Sequence, residues 1–334
     1  MTSLTKIIKI DPMNIDSALL EEAAAVIRRG GLVAFPTETV YGLGADTFNA
    51  AAVAKIFAAK GRPMDNPLIS HISKIEEIER FAREIPPSAE KLAHAFWGGP
   101  LTMIFKKRSG IPDEVTAGLD TVAVRLPSHS VANALITISK TPIAAPSANL
   151  SGSPSPTVAE DCIRDLDGRV DMIIDGGASM IGIESTVVDM TAEIPTVLRP
   201  GMISPEDMQE VIGEVRYGGE QKGAPKCPGM KYKHYSPNAE VYVVKNIAGA
   251  EKYFPRGEKV CVIAKNSGGK SFGGAIVYDA GKNDEEYAAR LFYFLRKADR
   301  DGAACVYAEM PGESGIGIAL RNRLFKSAAG RIMD

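Results

Sequence analysis

The sequence predicts a mixed α/β (α+β) protein in two parts: a larger domain on a mixed sheet, then a smaller Rossmann-like, parallel-sheet domain. Three observations predict this. Apolar strand-like runs and amphipathic helical stretches are mixed along the first 216 residues without strict βα order, which disfavours a simple doubly wound sheet. A stretch rich in glycine, proline and lysine, Tyr217–Pro237, then interrupts the pattern. Beyond it strands and helices alternate more regularly. A length of 334 residues suits two domains, and the expected bounds are 1–216, a linker or lid at 217–237, and 238–334.

The elements follow in order. Ile15, Leu19, Ala23, Val26 and Ile27 recur at helical spacing, and Gly30-Gly31 stops that helix. Leu32–Phe35 reads as a strand running into Pro36, and Thr37–Gly44 as a loop. A helix at Asn49–Lys60 ends at Gly61, and a strand is expected at Pro67–Ile72. Helices near Lys74–Glu84 and Pro87–Phe96 precede strands at Leu101–Lys106 and Thr121–Leu126. Val131–Ser139 is helical and Pro142–Ala145 extended. Strands recur at Met172–Asp175, Ser185–Val188 and Thr196–Leu198. Ser204-Pro205-Glu206-Asp207 starts a helix, with a capping serine, proline in the first turn and acids at the positive dipole end. In the second part, strands are expected at Val241–Val244, Lys259–Ala264, Ala275–Tyr278 and Ala303–Ala308. A helix over Asp284–Ala298 puts Tyr287, Leu291, Phe294 and Leu295 on one face, and another starts near Ile316.

Composition narrows the function. Lysine and arginine number 39 against 41 acidic residues, a net charge of −2, which excludes nucleic-acid binding by bulk charge and leaves only a local basic patch. Apolar residues at 45% argue for a real core and against disorder. No apolar run approaches the roughly 20 residues of a membrane span. The N-terminal stretch lacks the apolar segment of a signal peptide, so a cytoplasmic protein is expected. Cys162, Cys227, Cys261 and Cys305 form no CxxC pair and no zinc spacing, and are expected to be inert thiols.

Several motifs carry candidate chemistry, each beside a plainer reading. Pro36-Thr37-Glu38-Thr39-Val40-Tyr41-Gly42-Leu43-Gly44 offers hydroxyls, a carboxylate and glycines that let backbone approach a ligand; it also reads as a plain turn. Lys60-Gly61-Arg62-Pro63 is either a favourable helix end or a phosphate clamp. Asn66 and His71 bracket an apolar strand. Arg125 sits in an otherwise apolar strand, where it needs an ion pair, solvent or a ligand carboxylate. Pro146-Ser147-Ala148-Asn149 and Ser151–Ser155 form a serine-rich loop suited to phosphate oxygens or to solvent. Glu184-Ser185-Thr186 and Arg199-Pro200-Gly201 add a hydroxyl and a cation. Lys231-Tyr232-Lys233-His234-Tyr235 suits a lid over an anion, weak RNA contact or a solvated linker. Ala264–Ser271 mimics a P-loop, but Ala264 replaces its first glycine and the following residues read as turn and strand. With no GxSxG elbow and no paired histidines, the pattern points to positioning and charge neutralisation, as in phosphoryl or nucleotidyl transfer.

The ordered set from Phe35–Gly44 through Lys60-Gly61-Arg62-Pro63, Asn66-Pro67-Leu68, Arg125-Leu126-Pro127, Pro146–Asn149, Glu184–Thr186 and Arg199–Gly201 resembles the threonylcarbamoyl-AMP synthases, the YrdC-like family. The motif Lys231–Pro237 and the C-terminal part resemble its long, two-domain form. The resemblance implies a twisted mixed sheet around a concave cationic cavity, with a Rossmann-like second domain. It implies a nucleotidyltransferase that converts ATP, L-threonine and bicarbonate (or CO2) into threonylcarbamoyl-AMP and pyrophosphate. Partner proteins would pass the threonylcarbamoyl group to tRNA next to the anticodon. By motif position, Thr39, His71, Arg125, Ala145 and Ser185 would surround L-threonine. Lys60, Arg62, Asn66, Thr121, Ser147, Ser155 and Arg199 would bind ATP, with Tyr235 reaching in from the linker. Lys60 and Arg62 would act in catalysis, with Mg2+ carried by the ATP phosphates and no protein metal motif. Competing readings are an RNA-binding module with incidental nucleotide binding and a P-loop NTPase in the C-terminal domain.

Overall fold

A computed structural model describes residues 4–218 and 235–334. Lys231–His234 of the lid motif lie outside them. The first part runs β1 (Lys6–Lys9), α1 (Ser17–Arg28), β2 (Val33–Phe35), β3 (Gly42–Asp46), α2 (Ala50–Lys60), β4 (Ile69–His71), α3 (Pro87–Phe96), β5 (Leu101–Lys106), α4 (Asp113–Thr116), β6 (Thr121–Arg125), α5 (Ser130–Ser139), β7 (Ile143–Ala145), α6 (Ala159–Leu166), β8 (Met172–Asp175), β9 (Thr186–Asp189), β10 (Thr196–Arg199), α7 (Pro205–Ile212) and β11 (Arg216–Tyr217). These strands make one mixed sheet in the order β1-β8-β2-β3-β7-β4-β6-β5-β9-β10-β11.

Local chemistry explains the helix ends. Asp16 caps α1 by accepting from the amides of Ala18 and Leu19. Asn49 caps α2, and Gly61 closes it in the left-handed conformation at φ 62°. Ser204 and Asp207 form a reciprocal capping box on α7. The expected helix near Lys74–Glu84 is instead a short 3-10 helix, Ile75–Arg80. The expected loop Thr37–Gly44 is a loop only in its first half. Gly42–Asp46 pairs antiparallel with β2 and then continues to β7.

The pleat sends alternate residues to opposite faces. Ala34, Leu43, Leu101, Met103, Phe105, Val122, Val124 and Ile173 enter a large core shared with α2, α3 and α7. Val33, Phe35, Ile143, Ala145, Met172 and Ile174 point the other way, under α1 and α5. That second face is only half covered by these two helices. On its other half lie Ile69, Ile104, Ala123, Val187 and Leu198, a small cluster at the floor of the candidate site.

The second part comprises β12 (Glu240–Val244), β13 (Val260–Ala264), β14 (Ile276–Asp279), α8 (Asp284–Arg300), β15 (Cys305–Glu309), α9 (Ile316–Ser327) and β16 (Ile332–Met333). All of its strand pairs are parallel, in the order β14-β13-β15-β12-β16. Its core joins α8 and α9 to the sheet and takes in Val40, Ile183 and Tyr235 from outside it. Cys162, Cys261 and Cys305 are buried and unbridged.

Candidate active site

Register builds the site. Parallel pairing sets His71 beside Arg125, and antiparallel pairing sets Arg125 beside Thr102. Three polar side chains therefore stand in a row on the uncovered face. Next to them, β10 is irregular between Val197 and Arg199, which pairs Arg199 with Val187. Such a bulge re-aims a side chain, and Arg199 lines the cleft with the row from β4 and β6.

The cleft brings together Thr39, Lys60, Arg62, His71, Arg125, Ala145, Ser147, Ser185, Arg199 and Tyr235, ten of the residues expected to act there. Asn66, Thr121 and Ser155 do not line it. Thr121 stands at the opposite end of β6 from Arg125, roughly 13 Å away at strand rise. Ser155 turns its hydroxyl onto Glu184 Oε1 at 2.6 Å. The Asn66 carbonyl accepts from Arg62 Nη2 at 3.2 Å, and Asn66 Oδ1 is buried with no hydrogen-bond partner among the described residues. Glu38, Thr102 and Glu184 hold the site yet stand outside the sequence-derived set. Glu38 and Glu184 lie inside two of the motifs, and Thr102 pairs across from Arg125; those positions are the signal for them.

Arg125 realises its ion-pair reading without leaving the cleft. It lines the cleft, and its Nη2 donates to Glu38 Oε1 at 2.6 Å with both side chains buried. Its Nε reaches the Gly99 carbonyl at 3.4 Å. A guanidinium held from behind in this way keeps part of its fork for a second carboxylate. Glu38 Oε2 has no partner among the described residues.

His71 Nδ1 lies 3.1 Å from the Ile69 carbonyl and 3.3 Å from the Ile143 carbonyl. Only an N–H suits two acceptors, so Nδ1 carries the proton and Nε2 is an acceptor. Burial, with Arg125 nearby, pushes this imidazole down to about 3. It is a neutral acceptor rather than a proton store at neutral pH.

Lys60 reaches over the C-terminal end of α2 into the serine-rich loop. Its Nζ donates to the Ser147 carbonyl and to the Asn149 carbonyl, the latter at 2.5 Å. Burial pushes its ammonium well below the ordinary lysine range, and Arg62 adds to this. An anion in the cleft would offset both effects. Burial brings Arg62 down to about 10, and Asp65 works against that. Asn149 shapes the same loop, donating to the Leu150 and Ser153 carbonyls at 2.7 and 3.0 Å. Arg199 donates to the Ser185 carbonyl and hydroxyl, each at 3.0 Å, and that hydroxyl lies 2.8 Å from Thr102 Oγ1.

Of the two glycines in Gly42-Leu43-Gly44, Gly42 lines the cleft while Gly44 serves packing. A Cβ at Gly44 would lie 2.5 Å from Ile143 Cγ2 and 2.8 Å from Phe35 Cε1. The P-loop mimic is not one. Ala264–Ser271 leads to β14 rather than to a helix, and so no helix N-terminus stands behind it to receive phosphate. Among the described residues no group of three or more histidine, cysteine or acidic side chains could hold a metal ion, and no helix is long and apolar enough to cross a membrane.

A twisted mixed sheet with a cationic cleft on its bare half, joined to a parallel-sheet domain, defines a YrdC-like protein with an added domain. The chain belongs to the Sua5/YciO/YrdC family. Residues 25–201 match that family model, described as telomere recombination, and residues 203–329 match the threonylcarbamoyl-AMP synthase C-terminal domain. The chain is similar to the threonylcarbamoyl-AMP synthase of Pyrococcus abyssi, at 48% identity over 93% of this chain and 94% of that one. It is also similar to that of Bacillus subtilis, at 42% identity over 97% and 96%. A crystal structure of P. abyssi Sua5 complexed with L-threonine superposes with a TM-score of 0.92 at 46% identity, covering 98% of this chain and 99% of that one. Escherichia coli YciO, 24% identical with a TM-score of 0.56 over 61% of this chain and 100% of that one, shares the fold of the first part.

Proposed function

We propose that this chain is an L-threonylcarbamoyladenylate synthase, using ATP, L-threonine and bicarbonate or CO2 and releasing pyrophosphate. Its product would supply proteins that modify tRNA next to the anticodon. One observation carries the reading. A single cleft is lined by Arg125, His71 and Thr39, which suit an amino-acid carboxylate and its polar groups, and by Lys60, Arg62 and Arg199, which suit phosphates. Near-full-length identity to two synthases supports it, as does the similarity to a Sua5 that binds L-threonine.

The roles follow from the geometry. Arg125 would fork onto the threonine carboxylate while Glu38 holds it from behind. His71 Nε2 would accept from the substrate amine or hydroxyl, with Thr39, Ala145 and Ser185 closing the pocket. The amine adds to CO2, loses a proton and becomes a carbamate. A carbamate oxygen then bonds to the α-phosphorus as the bond to pyrophosphate breaks. Lys60 and Arg62, desolvated and aimed into the cleft, would stabilise the added negative charge, with Ser147 and Arg199 on the nucleotide. Tyr235 would close the edge. Mg2+ carried on the ATP phosphates would neutralise charge there. Among the described residues Glu184 is the carboxylate that lines the cleft, and its two oxygens are taken by Ser155 and Arg323, so the ion would be held mainly by the phosphates.

The test is pyrophosphate release with each substrate omitted in turn and L-serine as control. Release is expected to need both L-threonine and bicarbonate and to favour threonine. ATP turnover indifferent to threonine would refute the reading. Lys60→Ala should abolish release in a folded protein; unchanged turnover there would remove Lys60 from the phosphate clamp.

A further inference from the structure

We propose that Arg323, on α9 of the C-terminal domain, is a positioning residue for Ser185 and Arg199 of the cleft; this rests on the synthase reading. Arg323 is fully buried, yet it belongs to the domain that contributes none of the cations lining the cleft. Its Nε donates to Glu184 Oε2 at 2.9 Å, its Nη1 to the Pro200 carbonyl at 2.7 Å, and its Nη2 to the Glu184 carbonyl at 3.4 Å. Nη1 also meets Asn322 Oδ1 at 3.3 Å. The guanidinium lies 5.9 Å from the Tyr235 ring centroid. One turn further along, Ser327 Oγ donates to the Tyr235 carbonyl at 2.6 Å.

These contacts converge on the two segments that carry site residues. Glu184 precedes Ser185, and Pro200 follows Arg199, whose guanidinium binds Ser185. The two segments touch so closely that a Cβ on Gly201 would lie 2.3 Å from the Thr186 amide nitrogen. Glu184 Oε1 is taken by Ser155, so each carboxylate oxygen fixes a different element. Burial works to raise the Glu184 carboxyl, but Arg323, Arg199 and the Ser155 hydroxyl together hold it below the ordinary range. A buried guanidinium is costly unless its fork is matched. Here the fork matches a carboxylate and two backbone carbonyls of the other domain, and the domain thereby sets where Ser185 and Arg199 stand.

Docking itself does not depend on Arg323. Arg296 binds Asp165 through two contacts of 3.1 and 2.8 Å and also binds the Pro154 carbonyl, and Arg300 binds Asp161 at 2.5 Å. An Arg323 variant can therefore keep its domains together while losing the clasp.

The experiment compares Arg323→Lys with wild type and with Arg300→Gln, whose partner Asp161 lies outside the cleft. Lysine keeps the charge and loses the fork. Arg323→Lys is expected to raise the KM for ATP and the KM for L-threonine each about tenfold, because Arg199 and Ser185 are held by the same clasp. Arg300→Gln should lower the melting temperature and leave the ATP KM unchanged. If Arg323→Lys does not fold, the charge-balanced Arg323→Met/Glu184→Gln double variant is measured, with the same rise in both KM values expected. A folded variant with wild-type KM values for both substrates, or one whose KM values move no more than those of Arg300→Gln, overturns the proposal. So does loss of the fold in both variants, because the pair is then structural. Wild-type protein without threonine-dependent pyrophosphate release would instead overturn the synthase reading.

Discussion

His71 shows how one side chain's surroundings choose its chemistry. Two strand carbonyls hold its Nδ1 proton, and burial keeps the ring neutral down to about 3. The unfolded chain protonates the same ring near 6.5. Between those values the unfolded state binds the extra proton, so this residue makes stability fall as pH drops below about 6.5. We expect His71→Gln, whose amide can still donate to a strand carbonyl, to remove one proton's worth of that slope between pH 6.5 and 4. Denaturant midpoints at pH 7 and 5 check this; an unchanged pH dependence would mean that the ring is not the group being titrated. Arg125 makes a second prediction. Its buried pair with Glu38 leaves a fork that only arginine supplies. Arg125→Lys should raise the threonine KM about tenfold or more and leave the ATP KM within about threefold. Equal rises in both would place Arg125 in the general architecture of the cleft rather than at the threonine carboxylate.

At the scale of elements, β3 is held between β2 and β7 by the absence of side chains. Gly44 lies against Phe35 and Ile143 with no room for a methyl group. Gly44→Ala is expected to cost about 1–3 kcal/mol through overpacking. A lowered melting temperature with unchanged KM values would bear this out, whereas unchanged stability with a raised KM would return Gly44 to a ligand-facing role. This strand also marks where the sequence stops being legible. Gly42-Leu43-Gly44 has weak strand propensity, and only its two partner strands make it extended. Ala159–Leu166 was equally obscure, because three acids and one arginine crowd its eight residues and only Ala159, Asp161, Cys162 and Leu166 are buried. Capped helices were legible, as Asn49 with Gly61 and Ser204 with Asp207 are local signals. The cleft was legible where motifs end strands, as at His71 and Arg125. It was not legible where register alone decides: Thr102 braces Ser185 only because it pairs across from Arg125.

At the scale of the molecule, the two sheets are joined through the site rather than beside it. The loop carrying Gly182 donates from its backbone to the Glu38 and Thr39 carbonyls at 2.8 and 3.0 Å. On its other side Gly182, at φ 77°, rests on α8, where a Cβ would meet Ala289 Cα at 2.4 Å and the Ala288 carbonyl at 2.5 Å. The cleft's Thr39 is thus two backbone contacts from the C-terminal domain. Val40, Ile183 and Tyr235 complete the same junction inside that domain's core. With this apolar seam and the ion pairs of Arg296, Arg300 and Arg323 largely withdrawn from solvent, salt should screen docking weakly. We therefore expect one cooperative unfolding transition, shifted upward by ATP with L-threonine because the bound state needs both domains in place. Gly182→Val must push α8 away, and it adds a side chain at a positive φ that valine rarely adopts. Calorimetry of this variant should show two transitions, with only the one from the first domain responding to ATP, and a threonine KM raised through Thr39. A single transition at the wild-type temperature with unaltered kinetics would show that the domains do not rely on this seam.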